Sequence, residues 1–243
     1  MLIEAALNGG RTREENSAVP ITADELAASA SEAVAAGAGA LHFHVRGQDG
    51  RESVAPDDVA AAVSAVRHAV PSTPLGVSTG AWILHNVLGR YEAVSAWQVL
   101  PDFASVNFKE EGATELAQLL LSRGIGIEAG FSDMAGAQVL VASGLALRCL
   151  RVLVEPFEQD TKSFLVTLEA LEAVLDRARI TLPRLLHGMD RVVWDAIDLA
   201  AARGYDTRIG FEDTLTLPDA SLAGSNAALV AETIRRSRRA SSA

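Results

Sequence analysis

Ala40-Leu-His-Phe-His-Val-Arg46 is an apolar, β-prone run carrying two histidines two residues apart. On a strand, residues i and i+2 point to one face. The spacing therefore predicts that His42 and His44 project together, with Leu41, Phe43 and Val45 on the other side. The run is followed by the turn Gln48-Asp-Gly-Arg51 and by Pro56, which suits the first turn of a helix. This is one βα unit, and the same unit recurs along the chain. Strands are predicted over residues 2–8, 40–46, 75–80, 103–108, 125–130, 147–155, 184–188 and 207–213. Helices are predicted from the capping box Thr22-Ala-Asp-Glu25 to Gly37, then over 56–70, 91–99 and 114–122. Further helices follow the loop 131–136, span 160–179 and 192–203, and start from a cap at Ser225 or Asn226. Repeated βα units build a parallel sheet. Eight of them in 243 residues favour an α/β fold of the (β/α)8 TIM-barrel type, one domain over 1–243, rather than an open doubly wound sheet. Gly124-Ile-Gly126 lacks the third glycine of a dinucleotide fingerprint, and no Gly-Lys-Ser/Thr phosphate loop is present.

Composition narrows the function. Hydrophobic residues make up 49% of the chain, enough for a large core. A formal net charge of −10 argues against a nucleic-acid surface. Cys149 is the one cysteine, so no disulfide framework exists, and a reducing, cytoplasmic setting is expected. The N-terminus has no basic segment followed by a long apolar one, so no signal peptide is expected. The most apolar window, 139–154, is broken by Arg148 and Arg151 and is a poor membrane span. The arginines at 235, 236, 238 and 239 are expected to complement the dipole of the last helix.

In such barrels chemistry collects at the C-terminal strand ends. Those ends here carry Asn8 with Arg11 beyond it, His42 and His44, Ser78 and Thr79, Asn107 and Lys109, Glu128, Glu155, His187, and Arg208, Glu212 and Asp213. Inward polar groups are costly unless paired, so a nearly complete ring of them implies function. His-x-His alone is weak: it also suits one buried, hydrogen-bonded histidine beside a partly exposed one. Glu212 could complete a two-histidine, one-carboxylate set that holds a divalent metal, zinc being the usual occupant, and leaves a position for substrate. Asp213 could be a base at the pocket rim or could cap the following loop. Arg208 could hold a carboxylate, tune Asp213, or pair internally with Glu128 or Glu212. Lys109 is expected to be a solvated loop lysine rather than a Schiff-base former, His68 a surface residue, and His85 a packing residue in its loop rather than part of a lid, while His187 could reach the pocket or stand behind its wall. An amidohydrolase-type site would need histidines on the middle strands, and strands five and six carry none.

Several stretches together resemble the β-keto acid cleavage enzymes: Asn8-Gly-Gly10, the run Val-Pro-Ile-Thr-Ala-Asp-Glu-Leu from Val19, Ala38 to Arg46, Val77-Ser-Thr-Gly80, Arg208-Ile-Gly-Phe-Glu-Asp213 and Leu222-Ala-Gly-Ser-Asn226. The resemblance covers nearly the whole chain. It implies a (β/α)8 barrel with zinc that converts a β-keto acid and acetyl-CoA into acetoacetate and a new CoA thioester, in a homo-oligomer. By resemblance His42, His44 and Glu212 match the metal ligands. Ser78, Glu128, Arg208 and Asp213 match catalytic positions, with Asp213 the base, and Asn8, Arg11, Thr79 and Asn107 are assigned to the substrate. Two departures stand out. Arg11 replaces the acidic residue that meets a substrate amine, with Glu14 out of register, so a neutral or anionic β-keto acid is expected. The Gly-rich loop after strand six is replaced by Glu155-Pro-Phe-Glu158, which leaves a CoA-independent metal lyase or hydrolase, or a non-catalytic binding barrel, as alternatives.

Overall fold

The structure, a computed structural model, describes residues 1–240, with side chains through Arg238. Eight parallel strands close into a barrel in chain order: β1 (Ile3–Ala6), β2 (Ala40–Phe43), β3 (Leu75–Ser78), β4 (Phe103–Asn107), β5 (Gly126–Phe131), β6 (Arg151–Val154), β7 (Arg184–Leu186) and β8 (Asp206–Ile209), with β8 pairing back onto β1. The alternation seen in the sequence decides the layers. Leu41, Phe43 and Val45 are buried in the apolar layer between sheet and helices, while His42 and His44 turn the other way.

Helices α1 (Ala23–Ala35), α2 (Pro56–Ala69), α3 (Val87–Ser95), α4 (Ala113–Ser122), α5 (Met134–Ser143), α6 (Thr161–Arg177), α7 (Val193–Arg203) and α8 (Asn226–Ala240) follow the strands in order. The capping box of Thr22 and Glu25 starts α1, and Pro56 occupies the first turn of α2. Ser225 accepts from the Ala228 N–H at the start of α8. The expected helix over 91–99 begins four residues earlier, because Asn86 caps it by accepting from the Gly89 N–H at 2.7 Å. Asp133 likewise caps α5, so that helix starts inside the expected loop. The expected sixth strand is shorter, since residues 146–148 form a 3-10 turn first. Arg235 and Arg236 pair with Glu232 and with Asp198 of α7 rather than acting on the helix dipole alone. The Arg239 side chain lies outside the described residues. Among the described residues no helix is long and apolar enough to cross a membrane.

The barrel interior is polar at mid-height. Arg151 of β6 is buried and pairs with both Glu4 of β1 and Glu128 of β5, each fully buried. Its guanidinium also lies 4.8 Å from the Phe103 ring centre. Burial, reinforced by Glu128, pushes the Glu4 carboxyl well above its usual range. Burial would raise Glu128 as well, but Arg151, His42 and Arg208 together hold it below its ordinary value. The two carboxyls beside Arg151 are thus pushed in opposite directions.

Removing one partner of such a group leaves a buried charge without compensation. Arg151→Met is expected to lower unfolding stability by about 3–5 kcal/mol, read from denaturant titration; a change below about 1 kcal/mol would refute the account. Burial pushes the Cys149 thiol up to about 11, leaving it almost wholly protonated at pH 8. A thiol-disulfide reagent at that pH should therefore label the native chain slowly and the unfolded chain quickly.

Candidate active site

Three side chains from two ends of the chain converge above the polar layer. β2 carries His42, and His44 lies one residue past the strand, which stops at Phe43 rather than running to Arg46. Asn8 fixes this step: its Oδ1 accepts from the His44 N–H at 2.9 Å, and its Nδ2 donates to the His44 carbonyl at 2.9 Å. Glu212 arrives differently from the expected extended strand. β8 ends at Ile209, and the chain turns, with the Asp213 and Thr214 N–H groups donating to the Gly210 carbonyl. A Cβ at Gly210 would stand 1.8 Å from the Ala6 carbonyl oxygen, so only glycine permits this turn against β1. Gly9, at φ +52°, leaves the space into which the Glu212 side chain reaches.

The Glu212 carboxylate lies 3.7 Å from His42 Nε2 and 3.4 Å from His44 Nε2. Ligand atoms around a tetrahedral zinc at its usual bond lengths sit about 3.3–3.6 Å apart. Glu212 Oε2 is buried without a hydrogen-bond partner. The donor set and the orphaned oxygen fit a divalent cation. A second group, Glu4, His42 and Glu128, also brings its ligand atoms within 4.8 Å of one another, but Arg151 already supplies the cation there. Burial lowers the His42 pKa to about 4, leaving a neutral imidazole. Burial opposes charge on His44 too, but Glu212 and Glu52 outweigh it and raise the pKa to about 9.

Beside this group runs a buried charged chain. Arg208 donates to Glu212 at 3.0 Å and to Asp213 at 2.6 Å. Burial raises the Asp213 carboxyl above its ordinary value against the pull of Arg208. His187 Nδ1 is 3.4 Å from Asp213, and its Nε2 is 3.1 Å from Glu155.

A cavity of about 670 Å³ opens onto His42, His44 and Glu212, and the expected residues divide around it. His42, His44, Glu212, Ser78, Asn107, Arg11 and Arg208 line it, as do Lys109 and Glu155. Asn8, Thr79, Glu128, Asp213 and His187 do not. Thr79 donates to the Ser105 carbonyl at 2.6 Å, and Asp213 is fully buried behind Arg208. Arg208 pairs with Glu212 and Asp213, not with Glu128. Lys109 is 61% exposed and pairs with Asp133. Arg11 reaches the cavity mouth, where Asp190 and Glu15 both pair with it. His68 and His85 are exposed and lie away from the cavity. The residue list from strand ends omitted Glu52, Trp82, Ser105 and Met189, which also line it. Ser105 was within reach of the alternation argument, two residues before Asn107 on β4. Glu52 was not, because it returns through the loop bridge of Arg46 with Glu52.

Comparison with known proteins identifies the family of the chain. The chain is 26% identical to the 3-keto-5-aminohexanoate cleavage enzyme of Fusobacterium nucleatum, over 97% of this chain and 90% of that protein. It is 36% identical to the 3-oxoadipate:acetyl-CoA acetyltransferase of Cupriavidus necator, over 43% of this chain and 36% of that protein. Among solved structures, ObcA in a ternary complex with a C4-CoA adduct and oxalate shares the barrel at a TM-score of 0.73 and 16% identity. That match covers 89% of this chain and 63% of ObcA, so the chain spans less than two thirds of ObcA. The beta-keto acid cleavage enzyme model matches residues 1–242, and the chain belongs to that family.

Proposed function

We propose that this protein is a metal-dependent acyltransferase that cleaves a β-keto acid with acetyl-CoA as co-substrate, releasing acetoacetate and a new CoA thioester. The observation that carries the reading is the convergence of His42, His44 and Glu212 at one end of a cavity large enough for a small acid. These three residues would hold the ion, with zinc the expected metal. When bound, it supplies Lewis-acid polarisation of the substrate ketone.

The remaining chemistry falls to the chain's own groups. Cleavage starts when a proton leaves the carbon between ketone and carboxylate and its electron pair spreads onto the ketone oxygen as an enolate. That carbon then attacks the acetyl-CoA carbonyl and expels the CoA thiolate. The thiolate adds to the original ketone carbon and breaks its bond to the α-carbon, giving the new thioester and, on reprotonation, acetoacetate. Asp213 is the proposed base, and Arg208, which faces the cavity, is the cation that stabilises the developing negative charge. Asp213 sits behind Arg208, so direct transfer needs the arginine to shift when substrate enters. Glu155 lines the cavity and connects to Asp213 through His187, which gives the proton a second way in. Ser78 and Asn107 are placed to orient the substrate. Asn8, Thr79 and Glu128 act from behind the wall, by fixing His44, β4 and the polar layer.

Arg11 sets the expected substrate range. Its guanidinium disfavours a cationic amino substrate relative to a neutral or anionic β-keto acid, an effect moderated by Asp190 and Glu15, which share its charge. A homo-oligomer in the cytoplasm is the expected state; the single, buried Cys149 suits a reducing compartment.

Purified protein is expected to contain about one zinc per chain by elemental analysis. Glu212→Gln or His44→Ala should lose at least about 100-fold in metal affinity and lose turnover with it. Full activity after chelator treatment and dialysis would sink the metal assignment. In a coupled assay for CoA-ester formation, turnover should require acetyl-CoA, and product without it would point to a CoA-independent lyase. Across a substrate panel, kcat/KM should favour neutral or anionic β-keto acids over 3-keto-5-aminohexanoate. Arg11→Ala should narrow that difference by a few-fold, about 0.2–1 kcal/mol for a charge interaction at an exposed rim.

A further inference from the structure

We propose that Glu52 and Trp82 are positioning residues for the metal group: Glu52 fixes the ring of His44 as an Nε2 donor, and Trp82 acts through Glu52. The inference rests on the reading that His42, His44 and Glu212 hold a divalent cation, and it extends that reading outward from the ligands.

The two histidines are not equivalent. The Glu52 carboxylate is hydrogen-bonded to His44 Nδ1. A proton held on Nδ1 by a carboxylate leaves the Nε2 lone pair free, and Nε2 is the atom that faces Glu212 at 3.4 Å. His42 Nδ1, by contrast, is buried with no hydrogen-bond partner. The tautomer and rotation of His44 are therefore set by a dedicated partner, and those of His42 are not.

Glu52 is held in turn. Trp82 Nε1 donates to both of its oxygens, at 3.1 and 3.2 Å. The Trp82 ring stacks on His44 with centroids 6.0 Å apart and planes 25° apart. Its far edge rests against Gly80, where a Cβ would come within 2.3–2.5 Å of the indole. One tryptophan thus touches the imidazole by its face and the orienting carboxylate by its N–H. Trp82 lies between β3 and α3 at the cavity lip and is 47% exposed. Trp97 is fully buried and Trp194 half-buried, so the tryptophan beside the ligands is also the one open to solvent.

The role is separable from general packing because it predicts coupling. The probe is Co2+ added to the metal-stripped full chain, with affinity read by competition against a chelator and with tryptophan emission followed in parallel. Glu52→Gln should weaken binding by about 10–100-fold and shift the visible Co2+ spectrum, with Glu52→Asp recovering part of the loss. Trp82→Phe, which keeps a ring but loses the N–H, should weaken binding by a few-fold. The double variant should bind no more weakly than Glu52→Gln alone, since Trp82 acts through that carboxylate. Co2+ should quench emission in the parent protein, and most of that quench should vanish in Trp82→Phe. Parent-like Co2+ affinity and spectrum in Glu52→Gln would overturn the assignment, as would strictly additive losses in the double variant. Should Glu52→Gln fail to fold, Glu52→Asp paired with Trp82→Phe tests the same coupling. A parent protein that binds neither Co2+ nor Zn2+ would remove the metal reading itself and this assignment with it.

Discussion

Everything at the top of this barrel depends on the tight passage of Gly210 beneath the carbonyl of Ala6. Strand β8 must pair with β1 to close the sheet, and then leave it at once so that Glu212 can turn inward. A residue with a Cβ at 210 would collide with β1. With glycine there, the chain folds into the turn that brings an acid from near the end of the sequence to two imidazoles near its beginning. Closure of the barrel and assembly of the ligand group are therefore one event. The convergence of His42, His44 and Glu212 is a product of sheet topology more than of any local motif.

The second constraint is electrostatic. Arg151 and Arg208 are both buried inside the barrel, one above the other, and each faces two acidic side chains. Burying a charge is tolerable only when it is paired and hydrogen-bonded. In the lower group burial pushes the Glu4 carboxyl up while Glu128 is held low, and Glu4 Oε1 and Glu128 Oε2 lack hydrogen-bond partners. In the upper group Glu212 Oε2 and Asp213 Oδ2 lack them too, and there Arg208 and Glu212 reach the cavity. Access to that cavity, not the unsatisfied acceptors alone, separates the two groups.

The sequence was most informative where period-2 alternation and strand ends coincide. The eight βα units and the inward pair His42 and His44 were legible, because a strand residue's face follows from its parity; Glu212 was picked out as their partner from an extended strand that the structure replaces with a turn after Ile209. Adjacent strand-end residues were nominated together, although Thr79 and Asp213 follow the cavity residues Ser78 and Glu212 directly and do not line the opening. What parity could not resolve was depth: Glu128 faces inward but lies in the polar layer with Arg151, and Asn8 is taken up by the His44 backbone. Strand tilt and the early turns after β2 and β8 decide which of them reach the opening. Glu52 and Trp82 were illegible for another reason: both come from loops, and their approach to His44 depends on the loop bridge at Arg46 and on the bend at Gly80. The start of α3 was missed because the cap Asn86-x-x-Gly89 precedes the apolar pattern that marks the helix.

The stretch Leu222-Ala-Gly-Ser-Asn226 resembled the family without an evident chemical part to play, and the structure supplies one. Asn226 is buried, accepts from the Phe211 N–H at 2.8 Å and donates to the Leu7 carbonyl at 2.8 Å. It therefore staples the turn carrying Glu212 to the end of β1. From the opposite side the Asp190 N–H donates to the Asp213 carbonyl at 2.7 Å, and Asp190 adopts φ +49° there, a conformation that aspartate tolerates better than most residues. The same Asp190 pairs with Arg11 across the cavity mouth. A short turn is thus held by the strand before it, by the helix after it and by the loop that pairs with Arg11. The mouth of the cavity and the turn that carries Glu212 are therefore linked through the backbone and side chain of one residue, Asp190.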